Sequence, residues 1–173
     1  MREQKLLRRV RWLIAFMIFG LVVSGVTAIP IETELVWLTR TLGADVGGAD
    51  AAGGIPAWLI RARDAVIAVN RDHPFLFYGM DWLAFAHFLI AIAFLGPLRD
   101  PVRNSWVVTF GLIACAGVPV LAFTAGPARG IPFAWLLIDC SFGVAAAVPL
   151  LLCRRWILEL ERLGNRQGAA AVP

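Results

Sequence analysis

The chain has 173 residues, 60% of them hydrophobic and 16% charged, with a mean hydropathy of +0.75. A soluble domain carries about a quarter charged residues and just under half apolar ones, so this balance excludes an ordinary soluble fold. The net charge of +4 does not argue for nucleic acid, because the cations flank oily runs instead of forming a face of their own, as expected of membrane orientation signals.

A hydrocarbon core about 30 Å thick needs about 20 mostly apolar helical residues to cross it. Four windows meet that need, at about 12–30, 75–96, 105–124 and 132–153. The expected fold is therefore an all-α membrane protein, four transmembrane helices in a bundle, forming one domain over the whole chain. The first span follows the basic segment "MREQKLLRRVR". Its "VTA" ending at Ala28 resembles a signal-peptidase site, but the run is long. Gly20, Ser24 and Ala28 recur at four-residue spacing, a small-residue stripe that favours a retained helix packed closely on another.

Residues 31–74 then form an external loop. "IETELVWLTRTL" and "IPAWLIRARDAVIAVN" are short helix candidates, the second with Leu59, Ile60, Val66 and Ile67 toward one side, and amphipathic helices of this kind lie in the interface. The Gly/Ala/Asp-rich "GADVGGADAAGG" between them reads as a mobile linker. Beyond it, the breaks "GPLRDPVRN" and "AGPARGIP" are short and rich in turn formers, so the last three spans are sequential antiparallel neighbours. Pro119 and Pro149 interrupt two of those spans and favour kinks. After Cys153, "RRWILELERL" continues as an amphipathic helix along the inner surface, and the tail to Pro173 reads as disordered. Eleven of the sixteen cations fall on the loops that share a side with the termini. That bias places both termini in the cytoplasm.

Chemistry, if there is any, rests on the polar residues within the spans. Ionisable groups there are costly and are functional candidates by default. They are Asp81, His87 and Asp139. A central Asp opposes insertion by about 2.5–3.5 kcal/mol, while each Leu, Ile, Phe or Val favours it by about 0.3–0.6. Asp139 should therefore turn toward the helix interior, beside Gly143, Ala146 and Ala147. Asp81 and Asp139 each lie about 10 Å below the outer entry of their helices. They share a level and meet if those helices touch, and Arg129 is too far along the axis to pair with them. Tyr78, Trp82, Trp135 and Ser141 are candidate hydrogen-bonding neighbours, and Arg129, reaching outward to water, is a further binding candidate. His87 and His73 are about 20 Å apart on one helix line, too far to ligate one haem, so no cofactor and no metal site is expected. Cys115, Cys140 and Cys153 have no paired metal-ligand spacing and read as small packing residues.

At "YGMDWLAFAHF", "GPLRDPVRN" and "AGPARGIPFAWLLIDCSFG" the chain resembles a group of uncharacterised bacterial multi-span inner-membrane proteins, over residues 56–155. The resemblance implies a helical membrane protein and no particular activity. The leading functional expectation is a non-catalytic binding, accessory or assembly protein with an outward-facing polar pocket around Asp81 and Asp139. Its partners would be the lipid bilayer and either other membrane subunits or further copies of itself. The alternative is an intramembrane hydrolase in which the two acids activate water, one as base and its protonated partner as acid. In gross layout the chain is similar to lipoprotein signal peptidases, but it lacks their asparagine-containing motifs beside the aspartates. It also has no GxGD sequence. A third reading is a proton or ion pathway through Asp81, His87 and Asp139.

Overall fold

The computed structural model describes residues 1–43 and 53–170. Most of the Gly/Ala/Asp-rich linker and the last three residues lie outside them. The described residues are almost wholly helical, with no strand among them: α1 Arg2–Ala28, α2 Ile31–Thr41, α3 Gly54–Asp72, α4 Tyr78–Ala93, α5 Leu95–Arg99, α6 Ser105–Ala128 and α7 Phe133–Ala170. A 3-10 turn, Pro74–Phe77, leads into α4. Four stretches are long and apolar enough to cross a membrane: Arg2–Ala28, Pro74–Arg99, Ser105–Ala128 and Phe133–Arg166.

These segments do not close into a ring. α1 packs along α4 on one side and α7 on the other, and α7 packs along α6. The order across the molecule is thus α4–α1–α7–α6. Among the described residues, α4 and α7 are not an extensively packed pair. The four come together at the end that carries both termini. There Val10 and Ile14 of α1, Phe94 just past α4, Val107 and Val108 of α6, and Leu150, Cys153 and Ile157 of α7 form one buried cluster.

Glycines set the two long seams. An added Cβ at Gly25 would sit 2.9 Å from the Phe88 ring and 3.0 Å from the Ala84 carbonyl oxygen, so α1 and α4 touch there with no room for a side chain. Gly20, from the predicted stripe, has nothing within 4 Å. The close contact therefore lies one helical face away from the Gly20–Ser24–Ala28 line. On the other side, Gly143 faces the Cys115 carbonyl oxygen and Val118 of α6, and Gly126 receives the Leu136 side chain. Pro119 has no N–H to donate, which frees the carbonyl four residues earlier. That carbonyl belongs to Cys115, the group against which Gly143 packs.

The turn between α6 and α7 follows from its sequence. Gly130 adopts φ +68°, its N–H donates to the Pro127 carbonyl (3.1 Å), and the Ile131 N–H donates to the Gly126 carbonyl (3.0 Å). This is a Schellman end, in which glycine occupies the left-handed position without a Cβ penalty. The α5–α6 corner is stitched by Asn104. Its side-chain nitrogen donates to the carbonyls of Gly96 (3.3 Å) and Asp100 (3.0 Å).

Two elements run further than the sequence suggests. α1 begins at Arg2, ten residues before the predicted span, and α7 runs to Ala170 through Pro149 and the segment read as a disordered tail. Leu6 and Val10 of α1 and Cys153, Ile157 and Leu160 of α7 are all buried. Their three- and four-residue spacings on antiparallel helices make a continuous apolar seam. At 1.5 Å per residue, α7 is about 57 Å long against a hydrocarbon core of about 30 Å. The excess length lies at the end of the molecule that carries the termini.

Candidate functional site

Asp81 lies in the first turn of α4 and is exposed. With Tyr78, Trp82 and Phe85 it lines a groove of about 220 Å³. The spacing of three and four residues puts all four on one face. The Tyr78 and Trp82 rings meet edge to face at 6.0 Å, and Trp82 and Phe85 at 5.9 Å. Leu89 and Ile92 extend the same exposed stripe. Asp81 has no hydrogen-bonding or ionic partner among the described residues.

Asp139 occupies a different surface. It lies on α7 between Leu136, which packs on Gly126, and Gly143, which packs on Cys115 and Val118. The acid is therefore part of the α6–α7 seam. It is half-buried there, and it too lacks a hydrogen-bonding or ionic partner among the described residues. The helix between α4 and α7 is α1, so the two acids stand on helices that do not pack along one another.

The remaining candidates do not converge on either acid. His87 Nδ1 is 2.7 Å from the Leu83 carbonyl oxygen in its own helix. Because a carbonyl only accepts, Nδ1 carries the proton in that contact. Ser141 donates to the Ile138 carbonyl at 2.6 Å and faces outward. Trp135 lies against Trp58 of α3, with ring centroids 4.5 Å apart, and so docks α3 onto the start of α7. Arg129 is exposed just past the end of α6.

α2 and α3 form a pinned pair. Thr39 of α2 is fully buried, and its hydroxyl donates to the Leu35 carbonyl (2.9 Å) and accepts from Arg63 of α3 (3.3 Å). Asn70 of α3 donates to Glu32 of α2 at 2.7 Å.

A second polar concentration escaped the sequence reading, which was directed at charges within the spans. At the end carrying the termini, Arg2, Arg155, Leu158, Glu159, Arg162, Leu163 and Arg166 line a groove of about 380 Å³. The signal was present in the numbering, since 155, 162 and 166 fall on one helical face.

Comparison with protein-family models, with curated proteins and with solved structures finds no match to this chain.

Proposed function

We propose that the chain is a non-catalytic integral membrane protein that binds another membrane-embedded protein through the exposed face of α4. In this reading both termini lie in the cytoplasm of a bacterial inner membrane, and Asp81 stands in the outer half of the bilayer. The observation that carries the proposal is the unpartnered Asp81 carboxyl beside an aromatic groove. Exposed aromatic residues need no explanation against lipid, but an exposed carboxyl does, because it meets nothing there that can hydrogen-bond or neutralise it. A partner helix with a cationic or hydrogen-bonding side chain at the same level relieves that cost. A symmetric pair of copies would instead oppose two like groups.

Hydrolysis is less well supported. Two acids that share a water must stand within a few ångströms of one another, and here α1 lies between their helices. A proton path is also less well supported, since His87 is engaged with its own backbone.

The test is site-specific photo-crosslinking in native membranes from position 82 or 85, with and without Asp81→Asn. The proposal expects one discrete protein adduct that Asp81→Asn removes, and no such adduct from Val144 on the exposed side of α7. Lipid adducts alone, or a protein adduct indifferent to Asp81→Asn, would overturn it.

A further inference from the structure

The arginines at the terminal end fall into two groups. One group is engaged: Arg2 pairs with Glu159, Arg9 lies over the Trp156 ring, Arg11 donates to the Arg99 carbonyl, and Arg154 donates to Thr109. The Arg2, Arg9 and Arg154 contacts tie α1 and α6 to α7, and the Arg11 contact ties α1 to α5. The other group has side chains with no hydrogen-bonding, ionic or ring partner among the described residues: Arg8, Arg99, Arg103, Arg155, Arg162 and Arg166. Of these, Arg155, Arg162 and Arg166 line one groove.

Their freedom has a structural cause. Glu159 is four residues after Arg155 and three before Arg162, the spacings at which a helical carboxylate neutralises its neighbours. It pairs instead with Arg2 across the helix interface. The one carboxylate lining the groove is therefore already committed, and Arg162 and Arg166, four apart, repel one another along the helix. The positive-inside pattern explains why cations sit at this end. It does not explain three uncompensated guanidinium groups on one stripe, with Leu158 and Leu163 between them.

We infer that this groove is a binding site for a phosphate-bearing anion. Guanidinium groups present paired N–H donors that match phosphate oxygens, and three of them at helical spacing hold an extended or doubly charged anion better than an isolated phosphate. Two sources share this chemistry. Arg155 lies about 33 Å along α7 from Phe133, just past a hydrocarbon core of about 30 Å, where lipid phosphates stand. Arg166 lies about 50 Å along, in reach of soluble phosphorylated compounds. The site depends on neither Asp81 nor the α4 face.

The test uses the full chain in phosphatidylcholine nanodiscs and has two arms. In one, pyrophosphate binding is measured by calorimetry. In the other, retention of phosphatidylglycerol is measured by native mass spectrometry. The paired variant Arg162→Gln/Arg166→Gln is compared with Lys5→Gln/Arg8→Gln, which removes the same charge outside the groove. The expected result is binding in at least one arm that falls about tenfold or more in the groove variant and little in the control, in line with the loss of charge-assisted hydrogen bonds. The arm that responds identifies the source. Binding in neither arm, or equal loss in both variants, would overturn the inference. All four substituted side chains are exposed, and circular dichroism with gel filtration checks that the variants keep the fold.

Discussion

Gly143 shows how much of this fold depends on single atoms. A Cβ there would meet the Cys115 carbonyl oxygen at 3.1 Å and the Val118 Cβ at 3.2 Å, whereas Gly117 has open space around it. The first neighbour is backbone and cannot swing away, so the helices must separate for Gly143→Ala to fit. We expect Gly143→Ala to destabilise the protein by about 1–3 kcal/mol, the usual cost of forcing extra volume into a packed contact. Gly117→Ala should be neutral or slightly favourable, since alanine is the better helix former. Thermal unfolding in detergent distinguishes the two, and equal melting temperatures would show that the α6–α7 seam is looser than described. Asp139 lies one turn from Gly143 in that seam, so loosening it should also raise the accessibility of the carboxyl. The orientation of Asp139 toward a neighbouring helix was readable from the small residues around it. That Asp81 points away from the other helices was not, because aromatic residues such as Tyr78 and Trp82 read alike whether they face lipid or protein.

At the level of elements, the spans were legible because hydropathy over 20 residues is a strong signal, and the glycine and proline turns were legible because their chemistry is local. The extension of α1 and α7 beyond the apolar windows was harder to see. Charged residues interrupt both segments, and a window tuned to membrane spans stops at the first cluster of arginines. The apolar seam continues underneath, at Leu6 and Val10 in one helix and Cys153, Ile157 and Leu160 in the other. Its energetic weight can be measured. Ile157 is 1% exposed and Leu158 is 43% exposed, so adjacent truncations report on a buried and an exposed face of one helix. Ile157→Ala should cost about 2–5 kcal/mol, as for large-to-small changes in a core. Leu158→Ala should stay within about 0.5 kcal/mol, as surface changes do. If the segment instead lies along the membrane surface as a separate interfacial helix, the two costs converge, and hydrogen exchange at Arg155–Leu160 becomes fast.

For the whole molecule, the arrangement α4–α1–α7–α6 decides which chemistry is open to it. Sequence alone placed Asp81 and Asp139 at one depth, because depth follows from counting residues along a helix. It had no means of giving their lateral separation, which depends on which helix packs on which. With α1 in the middle, the acids belong to two different surfaces, and a shared water or shared proton between them has no route. Disulfide trapping tests this directly, each pair being introduced with every other cysteine replaced by alanine. Val118→Cys with Gly143→Cys, where the two Cβ atoms would stand 3.2 Å apart, should oxidise readily. Val10→Cys should also crosslink to the native Cys153, because that sulfur stands 3.9 Å from the Val10 carbonyl oxygen. Asp81→Cys with Asp139→Cys should give no crosslink under the same conditions, since a disulfide tolerates Cα atoms no more than about 7 Å apart. Efficient trapping of that third pair would put α4 against α7, restore the two-acid pocket and return hydrolysis to contention.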